Sequence, residues 1–185
     1  MRATPEGDRP LADCPYVQSV TWNGQPWTRL WIGHAELIHS LADIVAKNGN
    51  LLLNVGPRGA DGVIPEPQLR RLAWLERWLA RCGEAIHGTR PWTRAEGRTR
   101  EGLPLRFTAR DGTVYAILLG TPAGPRVVLE DVALPRGARV RLVGGGPLAW
   151  KADGPAVAVD LPLPLPDEPA HAVALEGARA AGAAA

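Results

Sequence analysis

The 185-residue sequence predicts two structural classes in one chain, an α/β half followed by an all-β half. Two segments with helical periodicity flank a continuous apolar run in the first half. After residue 91 the pattern changes to short alternating segments separated by turn residues. We therefore expect a helix–strand–helix module first and an antiparallel β-sandwich second.

The two helices are predicted from the spacing of their apolar residues. Over residues 35–47, apolar side chains at i, i+3, i+4 and i+7 mark one helical face, and Gly49 stands where a left-handed residue is expected after the helix. Over residues 67–82, Pro67 lies in the first turn and Gly83 follows the end. The inner face of this second helix is expected to consist of Leu69, Leu72, Leu75, Leu79 and Cys82.

The segment between the helices, Leu51 to Val55, is predicted to be a fully buried strand, because it is a continuous apolar run bounded by Gly and Pro. Its last polar side chain, Asn54, stands where the strand would end at a rim. Asn54 could bond to neighbouring backbone and terminate the strand, which is the more common role, or it could contact a ligand.

Short strands are predicted throughout the second half. The segments "LRFTAR", "TVYAILLG" and "RVVLE" alternate, and further strands are expected at 139–143, 156–160 and 171–175. Asp111-Gly112 predicts a two-residue hairpin loop. Residues 178–185 have no hydrophobic period and are predicted to be a tail.

Composition excludes several classes of protein. The net charge of +2 and the scattered arginines argue against a nucleic-acid partner. Cys14 and Cys82 lack metal-ligand spacing, so no metal or cofactor is expected. No apolar run reaches the roughly 18 residues of a membrane span, and no secretion signal is recognisable. We expect a soluble protein without a membrane partner, and its compartment is not encoded in these features.

Residues 41–92, "LADIVAKNGNLLLNVGPRGADGVIPEPQLRRLAWLERWLARCGEAIHGTRPW", resemble the end of the catalytic barrel in the retaining α-L-fucosidases. That family has a helix, a strand ending in Leu-Asn-Ile/Val-Gly-Pro, an Asp-Gly-x-Ile-Pro turn and a helix leading to Gly-Glu-Ala-Ile-Tyr, in this order. His87 replaces the family's usual Tyr. The resemblance implies the last part of a (β/α)8 barrel over residues 1–91 and the closing antiparallel β-sandwich over residues 92–177.

An upstream stretch, "ATPEGDRPLADCPYVQSVTWNGQPWTR", is similar to the family segment that begins with Thr-Pro-Glu. By this resemblance Glu6 is the general acid/base and Trp27 packs against the methyl group of fucose. Asn54 would lie at the end of the strand that opens on the sugar pocket. The family's Trp-Glu pair is replaced by Tyr16-Val17.

The implied reaction is hydrolysis of terminal α-L-fucosides with retention, which needs two carboxylates about 5 to 5.5 Å apart. In the family the nucleophilic Asp lies on an earlier barrel strand. No acid in this sequence fits that role, since Glu36 and Asp43 are predicted on a helix and Asp61 in a turn. We expect a truncated chain that is inactive alone. We also expect it to self-associate or to pair with a missing N-terminal half.

A second interpretation is a non-catalytic carbohydrate-binding or interaction module. A glycan platform usually needs several exposed aromatics, and beyond residue 92 only Phe107, Tyr115 and Trp150 occur. Alternation places Phe107 and Tyr115 inward, which weakens this interpretation. Trp74 and Trp78 are expected to form a core or interdomain stripe, and two histidines, His34 and His39, to flank the first helix.

Overall fold

The computed structural model describes residues 32–59 and 61–182, together with the backbone of residues 21–22 and 25–26. This part of the chain is mostly sheet with few helices. Helix α1 spans His34–Ala46, and helix α2 spans Glu66–Cys82 and continues into a 3₁₀ turn at Gly83–Ala85. Both helices match the predicted segments to within a residue at each end.

The strands of the described residues are short, and most lie after residue 90. They are β1 Thr21–Trp22, β2 Gln25–Pro26, β3 Arg90–Arg98, β4 Pro104–Arg110, β5 Thr113–Leu118, β6 Arg126–Leu129, β7 Val132–Ala133, β8 Val140–Leu142, β9 Trp150–Asp153, β10 Ala156–Asp160, β11 His171–Glu176 and β12 Arg179–Ala180. Every segment predicted to be a strand after residue 91 overlaps one of them, so those predictions are confirmed.

Two antiparallel sheets organise the second half of the chain. The larger has the order β3-β4-β5-β11-β8 and the smaller the order β6-β10-β9. The β4–β5 hairpin turns at Asp111 and Gly112, which have φ values of 50° and 75°. Two successive residues at positive φ are the signature of a type I′ turn, which confirms the predicted hairpin.

Alternation along the larger sheet gives it two buried faces. On β5 and β11, the residues Val114, Ala116, Val173 and Leu175 point toward the smaller sheet and share a core with it. That core also includes Leu105, Phe107, Leu118, Val127, Leu129, Val132, Val140, Val157, Val159 and Leu161.

The opposite face of the larger sheet carries the helices. Tyr115, Ile117, Ala172 and Ala174 form a second core with side chains of α1 and α2. The buried indole of Trp78 donates a hydrogen bond to the carbonyl of Ala170 (2.9 Å). The layers are therefore helices, larger sheet and smaller sheet, in that order.

The helices are also joined to the larger sheet by a polar contact at the end of α2. The hydroxyl of Tyr115 donates to Oε1 of Glu84 (2.8 Å), and Nη2 of Arg141 donates to the same oxygen. Together these bonds lower the pKa of the Glu84 carboxyl, the bond from Arg141 having the largest effect. The junction between the helices and the larger sheet is therefore held by the buried apolar core and by the ionised carboxylate of Glu84.

The prediction of a fully buried strand at Leu51–Val55 is wrong in this structure. These residues have no strand conformation, and burial alternates between half-buried Leu51, Leu53 and Val55 and exposed Leu52 and Asn54. Leu52 is 83% exposed. Among the described residues no strand pairs with this segment, so only one face is covered.

The end of α1 differs from the prediction in one detail. The left-handed position is occupied by Asn48, with φ 65°, and not by Gly49. Gly49 donates its backbone N–H to the carbonyl of Ile44 (2.7 Å), and a Cβ on it would lie 2.9 Å from Cγ2 of Ile44. The glycine is therefore needed for close approach, while Asn tolerates the left-handed conformation.

The inner face of α2 is shifted toward the C-terminal half of the helix. Trp78 and Cys82 are buried, Leu75 and Leu79 pack against the helix–sheet core, and Leu69 is 42% exposed. The prediction that Leu69 is buried is wrong. The first turns of α2 extend beyond the part of the helix that packs on the sheet.

The last described residues of the chain form a short strand. Arg179 and Ala180 pair with Ala133 and Val132, so the predicted tail is wrong for these two residues. Their pairing adds a short antiparallel ribbon outside the two sheets.

Neither helix of the described segments combines the length and apolarity that a bilayer crossing requires.

Candidate functional site

A groove of about 220 Å³ lies between the segment after α1 and the first turns of α2. We call it the rim groove, and it is lined by Ile32, Leu53, Asn54, Val55, Gly56, Gln68, Arg71 and Leu72. It contains the only predicted site residue that the structure describes, Asn54. Glu6 and Trp27 lie outside the described residues.

The segment that carries Asn54 is fixed at its end by an amide pair. Oε1 of Gln68 accepts from the backbone N–H of Gly56 (2.6 Å), and Nε2 of Gln68 donates to the carbonyl of Gly56 (3.3 Å). The side chain thus imitates a strand neighbour for one residue. Sequence reasoning missed Gln68, although an amide side chain in the first turn of a helix after a Gly-Pro loop was a usable signal.

Arg71 holds the other wall of the rim groove. Its Nε donates to the carbonyl of Ile32 (2.8 Å) and its Nη1 to the carbonyl of Pro67 (2.6 Å). Burial lowers the pKa of Arg71, which nevertheless remains a cation because arginine titrates far above neutrality. The guanidinium therefore fixes the approach of residue 32 to α2.

Asn54 is exposed at the edge of this groove. Its side chain has no hydrogen-bond partner in the part of the chain that the structure describes. The bond to neighbouring backbone, which we considered as its more common role, is therefore not seen. The amide, with two donors and an acceptor, faces a groove whose described lining includes no carboxylate.

The turn after this segment is organised by Asp61. Its carboxylate accepts hydrogen bonds from the guanidinium of Arg58 and from the backbone N–H of Val63 (3.0 Å). The backbone N–H of Gly62 closes the turn on the carbonyl of Arg58 (2.8 Å). Asp61 is a turn residue, as predicted, and it is engaged in holding the turn.

The two acids predicted on α1 also have structural partners. Oε2 of Glu36 accepts from the backbone N–H of Gly33 (3.3 Å) at the start of the helix. Asp43 binds Lys47 (2.8 Å) and Arg106 of β4. Burial opposes the ionisation of Asp43, but the hydrogen bonds from Lys47 and Arg106 outweigh it and hold the pKa of the carboxyl below its ordinary value.

The described residues contain no group of three or more His, Cys, Asp or Glu side chains arranged to hold a metal ion. The rim groove therefore offers an amide, backbone groups and apolar walls. Such a surface can orient a hydroxylated ligand by hydrogen bonds. Acid–base or nucleophilic chemistry at this groove requires carboxylates from outside its described lining.

Comparisons of sequence place this arrangement in a family. Residues 5–84 match the family model described as alpha-L-fucosidase. An α-L-fucosidase of Branchiostoma floridae is 30% identical over 154 residues, which cover 81% of this chain and 34% of that protein. The tissue α-L-fucosidase of Homo sapiens is 33% identical over 144 residues, 77% of this chain and 29% of that protein.

Comparisons of structure agree with those of sequence. The crystal structure of Thermotoga maritima α-fucosidase in complex with fucose matches 80% of this chain and 35% of its own, with a TM-score of 0.72 and 37% identity. The same enzyme with a mechanism-based inhibitor matches 78% of this chain and 34% of its own, with a TM-score of 0.72. This chain thus spans about a third of the length of its relatives, and it belongs to the α-L-fucosidase family of glycoside hydrolases.

Proposed function

We propose that this protein forms the last part of the barrel and the closing β-sandwich of a retaining α-L-fucosidase, which hydrolyses terminal α-L-fucosides. Residues 1–91 are assigned to the barrel and residues 92–177 to the sandwich. The observation that carries the proposal is the agreement of two comparisons. The family match over residues 5–84 contains both Glu6 and the rim groove, and 78% of the chain superposes on a fucosidase at 37% identity.

Each site residue has a chemical role in this proposal. Glu6 protonates the glycosidic oxygen as its bond to the anomeric carbon breaks, while a carboxylate attacks that carbon and forms a glycosyl ester. Glu6 then removes a proton from the water that hydrolyses the ester. Trp27 covers the methyl group of fucose, and the free amide of Asn54 lies at the edge of the pocket.

The attacking carboxylate is proposed to come from another part of the barrel, outside these 185 residues. Glu36, Asp43 and Asp61 are occupied in a helix cap, an ion-pair network and a turn. A retaining mechanism needs both carboxylates, so the 185-residue protein by itself is expected not to turn over fucosides.

The partner proposed for the site is a polypeptide that supplies the remaining barrel strands. Residues 51–55 have one covered and one open side, with Leu52 exposed, and such a segment accepts a neighbouring strand. The same open side would allow self-association when no partner is present. A fucosylated glycan is the proposed substrate.

Complementation tests this proposal. The 185-residue protein is co-expressed with the part of the Thermotoga maritima enzyme that it does not cover, and hydrolysis of 4-nitrophenyl α-L-fucoside is followed. We expect activity only from the combination, with the α anomer of fucose formed first by NMR. Glu6→Gln should reduce the rate by about 100-fold or more.

Glu76→Gln, on the exposed side of α2, is the matched control and should leave the combined activity unchanged. Hydrolysis by the 185-residue protein alone would refute the assignment of the nucleophile. A combined enzyme that ignores Glu6→Gln would refute the role of Glu6. First formation of the β anomer would exclude retention.

The interpretation as a binding module that uses an exposed sheet face gains no support. Phe107 and Tyr115 are 0% and 2% exposed, as their alternation predicted. Trp150 is partly buried against the sheet core, and its indole donates to the carbonyl of Ala138 (2.8 Å). We therefore propose no binding function for an exposed sheet face.

A further inference from the structure

A second cavity, of about 330 Å³, lies between the start of α1, the middle of α2 and the loop that precedes β11. We call it the helix–loop pocket, and it is lined by His34, Ile38, Trp74, Arg77, Asp167, Glu168 and Pro169. None of these residues lines the rim groove. Its size is at the lower end of the range of small-molecule sites, which begins at about 300 Å³.

Within the described residues, the charged side chains of this pocket are not engaged by the rest of the fold. Arg77, Asp167 and Glu168 make no side-chain hydrogen bond or ion pair within the described parts of the chain. Most other arginines of the helices and sheets are engaged, for example Arg70 with Glu66 (2.9 Å) and Arg126 with Asp160 (2.6 Å). One cavity therefore presents an unengaged cation and two unengaged carboxylates together.

The walls of the pocket are fixed before any ligand arrives. Nε2 of His39 hydrogen-bonds the carbonyl of Pro169 (2.8 Å), and the indole of Trp78 donates to the carbonyl of Ala170 (2.9 Å). The loop is thus tied to α1 and to α2 at adjacent residues. Ile38, which is 1% exposed, contributes to the lining from α1. The backbone of the pocket is therefore held in place, and only the side chains of Arg77, Asp167 and Glu168 have to be ordered when a ligand binds.

One wall is aromatic. The rings of His34 and Trp74 have centroids 4.8 Å apart and are tilted by 51°, and Trp74 is only half-buried. Trp78, one turn further along, is fully buried, so the expected core stripe is divided between a core residue and a pocket residue. The guanidinium of Arg71 lies 5.9 Å from the centroid of the same ring. The apolar surface that Trp74 offers beside the charged groups is therefore the part of the indole that His34 and Arg71 leave open.

We propose that the helix–loop pocket binds a single sugar residue, that is, a neutral ring bearing several hydroxyl groups. Each hydroxyl both donates and accepts, so adjacent hydroxyls can bind the donors of Arg77 and the acceptors of Asp167 and Glu168 at the same time. Hydrogen bonds to charged partners are the stronger kind. The C–H face of the sugar ring packs against the open part of the Trp74 indole.

This site is separate from the proposed catalysis and does not depend on it. A sugar held here would lie outside the rim groove, so it would retain a glycan without being cleaved. The main competing ligand is a zwitterionic amino acid, whose carboxylate and ammonium could also pair with Arg77 and the two acids. The aromatic wall favours a sugar, because it provides apolar area that a small zwitterion leaves uncovered.

Saturation-transfer NMR on the 185-residue protein tests the proposal. The probes are methyl β-D-galactoside, methyl α-D-mannoside and methyl α-L-fucoside, with glycine and γ-aminobutyrate as zwitterions. We expect saturable binding of at least one glycoside. Arg77→Gln and Glu168→Gln should each weaken it about tenfold, because each removes a charged hydrogen bond. Trp74→Ala should abolish it.

The control is Arg70→Gln, on the same helix but outside the pocket, which should bind like the unchanged protein. Arg77→Gln and Glu168→Gln alter groups that have no partner among the residues the structure describes, so they keep the test decisive should Trp74→Ala fail to fold. Absence of saturation with all three glycosides would overturn the proposal. So would binding that survives Arg77→Gln and Glu168→Gln, or saturation by the zwitterions alone.

Discussion

The helical half of this molecule (residues 32–89) and its sheet half (residues 90–182) bury their apolar residues to different degrees. In the sheets, β5, β10 and β11 are buried along almost their whole length. Helix α2 buries only Trp78 and Cys82 among its 17 residues. Exposed large apolar side chains, Leu52, Val63 and Leu69, are concentrated in the helical half, whereas the sheet half has Leu163. The sheets close a core by themselves, and the helices use the outer face of one sheet.

The largest difference between the halves should appear on truncating matched leucines. Leu105 is 0% exposed in the core between the sheets, and Leu52 is 83% exposed. We expect Leu105→Ala to lower the free energy of unfolding by about 2–5 kcal/mol. Leu52→Ala should change it by less than about 0.5 kcal/mol. Urea unfolding followed by circular dichroism measures both, and equal losses would remove the contrast between the halves.

Self-association should depend on the helical half alone. Replacing Leu52 and Leu69 by glutamate places charge on the open apolar surface, so the weight-average mass in sedimentation should fall to that of the monomer. Leu163→Glu is the control, since that leucine is 51% exposed in the sheet half. Association that responds to Leu163→Glu and not to the double variant would place the contact on the sheets.

The junction between the halves can be weakened at Glu84. Its carboxylate accepts from Tyr115 and Arg141, and about a third of the side chain is exposed (33%). Glu84→Gln should therefore cost only about 1 kcal/mol at neutral pH, and Glu76→Gln on the open side of α2 should cost nothing measurable.

The cost of Glu84→Gln should also depend on pH. The pKa of Glu84 is lowered from 4.5 in the folded protein, so the stability contributed by the charge is present above that value and is lost as pH falls through the folded pKa. Chemical unfolding at pH 7 and pH 3 should show the difference between the two proteins shrinking. A pH-independent cost would mean that packing, and not charge, holds the junction.

The smallest effect expected concerns His171, which faces Thr121 at 3.4 Å in the sheet half. Burial lowers its pKa from 6.5, so the unfolded chain binds a proton first as pH falls, and stability is lost below 6.5 until the folded group titrates. Between pH 7 and 5.5, His171→Gln should flatten this decline by less than about 1.4 kcal/mol per pH unit.

The sheet half was more predictable from sequence than the helical half. Alternation and the Asp111-Gly112 turn reflect local geometry, and β4, β5, β10 and β11 follow them directly. Strand β3 was not predicted, because Arg90–Arg98 contains several charged residues and no regular apolar alternation. Its pairing with β4 also contains a register shift. Apolar alternation within one segment does not predict a strand whose pairing with its neighbour is irregular.

The segment Leu51–Val55 shows why the rest could not be predicted. An apolar run states what a strand would bury, but the pairing that makes it a strand is supplied by a neighbour, and none is present among the described residues. The amide of Gln68 in the first turn of α2 was a usable signal, but its partner Gly56 could not be predicted, since the two residues share no periodic pattern. The unengaged charges of the helix–loop pocket became visible only from distances in space.

The bond between Trp78 and the carbonyl of Ala170 spans 92 residues of sequence. During synthesis the chain emerges from its N-terminus, so α2 leaves the ribosome long before its buried indole can find that acceptor. The packing of Trp78 is therefore completed only after nearly the entire sheet half has been made. A chaperone that binds the nascent chain would therefore have to shield α2 for the longest time. A nascent chain that stops before residue 170 would still lack the acceptor for the Trp78 indole.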